Sequence, residues 1–244
     1  YYTLNWVPQD VKKIAYATSF GIGSIPAKYS KIYSHYLKRI NYLSARETSG
    51  QDIIKKLAGR DVQLVNDPAL LLDADGWNEV ISNEPLIKEK YVFCYFMGNN
   101  PEQRNFVRRL ANEKGLKVVA LLHLDQYIAS DENYVDMAPW HVSPADFVNL
   151  VKNAECVCTD SFHGTVFSII YSRPFFTFKR FNKKASLSTN TRITSLLTRL
   201  GLMDRLVLDM DCKQAFDIDW KKIQSGVSQF RKASSEYLLN AIRA

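Results

Sequence analysis

The residues best suited to chemistry lie together in the sequence Asp-Ser-Phe-His-Gly-Thr, at positions 160–165. This run follows an apolar stretch typical of a buried strand and opens a stretch with helical spacing. The first N–H groups of a helix have no partner within it and carry the positive end of its dipole, so they bind phosphate. Gly164 leaves the backbone open to such a ligand, and the hydroxyls of Ser161 and Thr165 can donate to it. Asp160, in the same turn, is also expected to bind the substrate. His163 would lie beside the anion, where an imidazole can exchange protons near neutral pH.

The same residues also have a purely structural interpretation. Asp160 and Ser161 are both good N-cap residues, so they can serve only to cap the helix that follows. His163 would then pack beneath the edge of the sheet instead of facing a ligand. The sequence pattern leaves both interpretations open.

Other strand ends offer weaker candidates for ligand contacts. The guanidinium of Arg46 can bind a carboxylate or phosphate through two hydrogen bonds, and a structural pair with an acidic residue fits its position equally well. Gly98 and Asn99 follow another predicted strand, where they either contact a ligand or form a tight turn. His123 and His141 lie in or near an irregular stretch and can also face a cleft.

The composition argues against several classes of function. The net charge of +7 is spread along the chain, which suits an anionic ligand or peripheral contact with an anionic membrane. Nucleic-acid binding is not expected, because no stacking motif accompanies the short basic clusters. No cysteine pair or histidine cluster has the spacing of metal ligands, so no metal site is expected. Cys156 and Cys158 are predicted to be buried thiols, which fits a reducing cytoplasm.

Short apolar runs alternate with longer amphipathic ones, which predicts β-α-β units with parallel strands. Strands are predicted at residues 11–18, 40–45 and 62–65, and a second series begins with a strand at 91–97. A polar stretch at residues 73–90 contains two turn signals and separates the two series. The sequence therefore predicts an α/β fold with two Rossmann-like lobes. Ligands of such sheets bind beyond the carboxyl ends of the strands.

Five segments, in a fixed order along the chain, carry a resemblance to a known family: residues 14–21, 44–47, 66–72, 95–98 and 159–168. As a set they resemble the polysaccharide pyruvyl transferase family. The resemblance implies a glycosyltransferase-B-like arrangement of the two lobes, with the first lobe incomplete in this chain.

The domain boundaries expected on this basis divide the chain into three parts. Residues 1–82 would be the remainder of the N-terminal lobe, and residues 83–215 the C-terminal lobe with the Asp-Ser-Phe-His-Gly-Thr site. Residues 216–244 would form a C-terminal helix that packs back on the first lobe.

The resemblance also implies an activity, the transfer of a pyruvyl group from phosphoenolpyruvate to two hydroxyls of a cell-surface glycan or its lipid-linked precursor. His163 carries over as the general acid and base, together with Gly164, and Arg46 carries over as an anion ligand. The family has an arginine where this chain has Ser161. Three cations that follow in the sequence are candidates to replace it: Lys179, Arg180 and Arg192.

Two other functions remain open at this stage. The same fold hosts glycosyltransferases that use nucleotide sugars, and a non-catalytic glycan-binding module is a third possibility. The pyruvyl transferase interpretation predicts no cofactor, since phosphoenolpyruvate is a substrate. It predicts a cytoplasmic enzyme, and the basic excess permits peripheral contact with the inner face of the membrane without requiring it.

Overall fold

Parallel strands joined by helices make up both units of the chain. The computed structural model describes residues 3–180, 190–210 and 216–244. Among these, the first unit comprises residues 3–71, 190–200 and 225–244. The second unit comprises residues 72–180, 201–210 and 216–224.

The described residues form eight strands and eight α-helices. The strands are β1 (Ile14–Thr18), β2 (Tyr42–Ala45), β3 (Gln63–Leu64), β4 (Tyr91–Tyr95), β5 (Lys117–Leu121), β6 (Cys156–Thr159), β7 (Phe175–Phe178) and β8 (Leu206–Val207). The helices are α1 (Ala27–Lys38), α2 (Thr48–Ala58), α3 (Ala74–Asn78), α4 (Pro101–Lys114), α5 (Pro144–Asn153), α6 (Phe162–Ile170), α7 (Asn190–Leu200) and α8 (Trp220–Arg243). Short 3₁₀ helices lie at Pro68–Leu71, Ala129–Asp131 and Met203–Arg205.

Each unit contains one parallel sheet. In the first unit the strand order is β1-β2-β3, and in the second it is β5-β4-β6-β7-β8. Every strand pair is parallel. The predicted α/β class with two Rossmann-like, parallel-sheet units is therefore confirmed.

The central strands of the second unit are buried, which explains their almost wholly apolar sequences. Cys156 and Cys158 are fully buried on β6, as predicted, and Phe106 packs edge-to-face against Phe176 and Phe178 of β7. Cys212 lies outside the described residues.

The observed unit boundaries differ from the expected ones. The first boundary follows Leu71, because α3 packs on the second unit, where the ring of Trp77 meets that of Phe167 at 4.9 Å. The last boundary falls inside α8, after Gln224. The later part of α8 packs in the first unit, where the hydroxyl oxygen of Ser234 accepts a hydrogen bond from the N–H of Asn66 at 2.8 Å.

A buried carboxylate holds the loop after β1 in the first unit. Glu47 is fully buried, and its Oε1 accepts hydrogen bonds from the hydroxyl of Ser19 and the N–H groups of Phe20 and Gly21, at 2.9, 3.0 and 3.2 Å. Hydrogen bonds to a charged acceptor are stronger than those between neutral groups. Glu47 therefore fixes this loop.

We expect Glu47→Ala to lower the free energy of unfolding by about 2–4 kcal/mol, because it leaves three donors without their acceptor. Urea denaturation would measure the loss. Asp52→Ala is the matched control, since Asp52 is an exposed carboxylate on α2, close to Glu47 in the sequence. Equal stability of the two variants would show that the Glu47 hydrogen bonds contribute nothing.

Candidate active site

The candidate site lies where the strand order of the second unit changes direction. The chain passes from β4 to β5 on one side, and then to β6 on the other side of β4. The carboxyl ends of β4 and β6 therefore flank a topological switch point, where open α/β sheets bind their ligands. The loop Met97-Gly98 leaves the end of β4, and Asp160-Ser161 leaves the end of β6.

The carboxylate of Asp160 joins these two strand ends. Its Oδ1 accepts a hydrogen bond from the N–H of Met97 at 2.7 Å, and its Oδ2 accepts one from the N–H of Gly98 at 2.8 Å. The residue is 1% exposed. A Cβ atom at Gly98 would lie 2.9 Å from this Oδ2, so the close approach needs glycine. In this structure Asp160 and Gly98 thus hold together the two strand ends that flank the site.

Ser161 and Thr159 shape the turn from β6 into α6. The hydroxyl of Thr159 donates to the carbonyl of Tyr95 at 2.5 Å and accepts from the N–H of Ser161 at 3.0 Å. Ser161 is the N-cap of α6, and its hydroxyl oxygen accepts a long hydrogen bond, 3.4 Å, from the N–H of Gly164. The capping part of the structural interpretation is therefore confirmed for Ser161.

Gly164 and Thr165 face the sheet, so the structure does not bear out the expected hydroxyl donor at Thr165. Thr165 is fully buried, and its hydroxyl donates to the carbonyl of Ser161 at 3.1 Å and lies 3.1 Å from the hydroxyl of Thr177. A Cβ atom at Gly164 would lie 2.6 Å from the Oγ1 of Thr159. Glycine is required there for helix-to-strand packing, whatever ligand binds.

His163 is the exposed member of this turn. Its side chain does not pack beneath the sheet, contrary to the structural interpretation, but is open to solvent. Together with Ser161 it lines a cavity of about 570 Å³ within the second unit. The structure therefore brings together two of the predicted site residues at one cavity, and one of them carries an imidazole able to transfer protons.

The rest of the cavity wall is apolar, as far as the described residues form it. Apart from Ser161 and the imidazole of His163, the described lining residues carry no polar or charged group except the hydroxyl of Tyr95 and the indole N–H of Trp77, and four of them are aromatic: Trp77, Tyr95, Phe147 and Phe167. These rings pack edge-to-face, with Tyr95 and Phe147 at 5.2 Å and Phe147 and Phe167 at 6.0 Å. Such a wall suits the neutral part of a ligand and gives no counter-charge to an anion.

Arg46 lies in the first unit, after β2. Its guanidinium forms an ion pair with the carboxylate of Asp67, whose side chain is 3% exposed, against 20% for Arg46. The other oxygen of Asp67 accepts the N–H of Ala69 at 3.0 Å. The structural pair with an acidic residue is therefore present. The role of Arg46 as an anion ligand stays a prediction.

Asn99, His123 and His141 do not line the cavity that holds His163. Asn99 lies at a separate hollow of about 460 Å³, where its carbonyl accepts the hydroxyl of Ser130 at 3.1 Å. The Nδ1 of His123 lies 2.7 Å from the carboxylate of Asp131. Burial raises the pKa of Asp131, but hydrogen bonds from His123 and Arg104 outweigh burial and hold that pKa below its usual value.

Comparison with known proteins agrees with the sequence motifs. The profile of the family described as polysaccharide pyruvyl transferase matches residues 1–180, which is most of the chain. The chain belongs to the polysaccharide pyruvyl transferase family. The matched region includes β1–β7 and ends at Arg180, so it covers both the Arg46 and the His163 segments of this family member. Comparison with curated protein sequences gave no match.

Comparison with solved structures found chains with a similar course at low sequence identity. A UDP-GlcNAc 2-epimerase from Methanocaldococcus jannaschii has 13% identity and a TM-score of 0.41, over 81% of this chain and 62% of that one. A putative UDP-N-acetylglucosamine 2-epimerase from Listeria monocytogenes has 10% identity and a TM-score of 0.48, over 85% and 60%. The wall teichoic acid polymerase TagF has 15% identity and a TM-score of 0.42, over 96% and 66%. This chain thus spans less than two thirds of each.

Among the described residues, no helix has the length and apolar composition that crossing a membrane requires.

We expect Gly164→Ala to destabilise the protein by about 1–3 kcal/mol, because the new methyl group would collide with the buried side chain of Thr159. Gly226→Ala is the control, since a Cβ atom there would meet nothing closer than 4.0 Å. A helical glycine replaced by alanine at an open position gains about 0.5–1 kcal/mol. Relative to the wild type, the unfolding temperature should therefore fall in Gly164→Ala and rise in Gly226→Ala. A Gly164→Ala variant as stable as the wild type would contradict the close packing of Gly164 against Thr159.

Proposed function

We propose that this protein transfers a pyruvyl group from phosphoenolpyruvate to two hydroxyls of a sugar in a glycan or glycan precursor. Membership of the polysaccharide pyruvyl transferase family supports a transferase that modifies polysaccharides. The observation that carries the finer proposal is the exposed imidazole of His163 at a cavity beside the N-terminus of α6.

The reaction needs one group that both gives and takes protons. His163 donates a proton to the methylene carbon of phosphoenolpyruvate, which makes C2 electrophilic. A sugar hydroxyl attacks C2 and loses its proton to the imidazole, which restores the protonated form. The C2–O bond to phosphate then breaks, the second hydroxyl attacks C2, and the proton it releases leaves with inorganic phosphate. The product is a cyclic ketal, and neither oxidant nor reductant is consumed.

Two features of the structure around His163 support this role: the hydrogen bonds of Asp160 and the apolar wall of the cavity. Asp160 ties the ends of β4 and β6 together, so the turn that carries His163 is held at a fixed position. The apolar wall of the cavity offers a bound ligand a surface that would shield one side of it from water. Arg46 is the predicted ligand for the carboxylate or phosphate of the donor.

The donor can be tested by ligand-induced stabilisation. A ligand that binds only the folded state raises the unfolding temperature according to its occupancy. We expect millimolar phosphoenolpyruvate to raise the midpoint of the full-length protein, and uridine or guanosine diphosphate sugars to leave it unchanged. A shift with a nucleotide sugar alone would identify a glycosyltransferase instead. A shift with oligosaccharide alone would identify a glycan-binding module.

We expect His163→Ala to lower kcat by about 10²–10⁴-fold, the usual contribution of a general acid or base. The unfolding temperature should stay within error of the wild type, because the side chain is exposed. Acceptor-dependent release of phosphate from phosphoenolpyruvate measures the rate, and the mass of the acceptor confirms the ketal. His35→Ala, an exposed histidine on α1, is the control and should retain full activity. Activity retained by His163→Ala would refute the assignment.

A further inference from the structure

We propose that helix α1, together with the segment before β1, binds an anionic membrane surface. The proposal goes beyond the proposed function and does not depend on its chemistry, because it concerns the first unit and not the cavity that His163 lines. The binding surface consists of Trp6 and five residues of α1, and we call it the α1 surface. These five residues are Lys28, Tyr29, Lys31, Ile32 and Lys38.

Three large apolar side chains of the α1 surface are open to solvent. Trp6 is 65% exposed, and Ile32 and Tyr29 are 48% and 46% exposed. Removal of apolar area from water is favourable, and tryptophan and tyrosine are enriched where a membrane meets water. The α1 surface therefore carries side chains suited to the interface of a membrane.

The apolar side chains of α1 lie along one line of the helix. Tyr29, Ile32 and the half-buried Tyr36 follow each other at spacings of three and four residues, which makes them neighbours on the helix surface. A flat partner that contacts Ile32 therefore also contacts Tyr29.

The segment that carries Trp6 lies at the end of this line. The Nδ2 of Asn5 is 3.5 Å from the hydroxyl oxygen of Tyr36. The guanidinium of Arg39 donates to the carbonyl oxygens on both sides of Trp6, at 3.3 Å to Asn5 and 2.9 Å to Val7. These contacts fix the backbone of the segment beside the last turn of α1, while the Trp6 side chain stays largely exposed.

The lysines of α1 supply a charge that is complementary to anionic lipid. Lys28, Lys31 and Lys38 are exposed, and the twelve residues of α1 include no acidic one. The Nζ of Lys28 lies 4.9 Å from the centre of the Tyr29 ring, so positive charge stands directly beside the apolar line. Lysines within a Debye length of an anionic bilayer are attracted to it.

Protein covers the opposite side of α1. Leu37 is buried, and the ring of Tyr33 lies 6.2 Å from that of Phe20. Helix α2, which packs on α1, carries two lysines and one aspartate, and Lys55 of α2 pairs with Asp61. The charge of α2 therefore does not offset that of α1, and the α1 surface is the side of the helix that a membrane can reach.

The combination of apolar and basic side chains favours a lipid surface over a second copy of this chain. Two copies that met through the α1 surface about a two-fold axis would bring lysine against lysine, which is unfavourable. A helix that lies on a membrane has the opposite requirement, since its apolar side enters the interface and its lysines bind the headgroups. The α1 surface meets that requirement.

Co-sedimentation of the full-length protein with vesicles tests the proposal. One set of vesicles is phosphatidylcholine alone, and the other is an equal mixture of phosphatidylcholine and phosphatidylglycerol. We expect binding to the mixed vesicles that weakens as salt is added, because salt screens the lysines, and much weaker binding to phosphatidylcholine. Equal binding to both vesicles, or binding to neither, would overturn the proposal.

The combined variant Lys28→Gln, Lys31→Gln and Lys38→Gln should bind the mixed vesicles about a hundredfold more weakly, at about fivefold for each lysine. Its unfolding temperature should match that of the wild type, because the three side chains are exposed.

The matched control removes the same charge from three exposed lysines of the second unit, as Lys88→Gln, Lys114→Gln and Lys117→Gln. We expect it to bind the mixed vesicles within about twofold of the wild type, since these lysines lie outside the α1 surface. Equal losses in the two combined variants would show that net charge alone drives binding, and the α1 surface would not be the binding site.

The fluorescence of Trp6 gives a readout that a loss of charge does not imitate. The chain contains four tryptophans. We expect the emission of the wild type to shift to shorter wavelength on the mixed vesicles, and the shift to be absent in Trp6→Phe. A shift that persists in Trp6→Phe would place the contact elsewhere and contradict the proposal.

A further outcome would assign the α1 surface to a protein partner. If sedimentation velocity shows a dimer that Ile32→Ser converts to a monomer, this surface joins two copies of the chain, and the membrane proposal is wrong.

Discussion

The candidate site depends on one carboxylate that satisfies two backbone donors at once. The ladder between the parallel strands β4 and β6 ends at the pair of Tyr95 and Thr159, so it does not align the loops beyond the strand ends. Asp160 supplies that alignment, since each of its oxygens accepts an N–H group from the loop after β4. This contact holds Met97, which lines the cavity, and the Nη2 of Arg180 lies 3.3 Å from the carbonyl oxygen of the same Asp160.

The conspicuous sequence Asp-Ser-Phe-His-Gly-Thr therefore contains two kinds of residue. Asp160, Gly164 and Thr165 are buried and bind other parts of the protein, through hydrogen bonds or through close packing. His163 is exposed at the cavity. Ser161 belongs to both groups, because it caps α6 and also lines the cavity. In the proposed reaction only the side chain of His163 reacts, and most of the run positions that side chain.

Much of the fold could be predicted from the sequence. The C-terminal helix predicted within residues 216–244 is present as α8, because a long amphipathic repeat is a strong local signal, and Pro101 at the start of α4 is a typical residue of a first helical turn. The short elements α3 and β8 were missed. The Gly76 that α3 contains weakens its helical signal, and a two-residue edge strand such as β8 has no periodicity to detect.

The candidate site could be predicted only in part, because some of its residues come together only in the tertiary structure. Ser161 and His163 lie two residues apart and follow a recognisable strand end, so their place at the candidate site could be predicted. The cavity beside them is built by Trp77 and Phe147, which come from other helices, and only the tertiary structure brings these rings together. The burial of Thr165 could not be predicted from the sequence either, because the hydroxyl that it approaches belongs to Thr177 on the next strand.

The two hydrogen bonds of Asp160 make adjacent positions differ in the substitutions they tolerate. An amide has a single acceptor oxygen, so asparagine at position 160 would turn its NH₂ group toward a backbone N–H and set donor against donor. Ser161 accepts only one hydrogen bond as a helix cap, and aspartate, asparagine or threonine can do the same. Position 161 can therefore take several residue types without loss of its structural role, and position 160 cannot, although the two residues are neighbours in the chain.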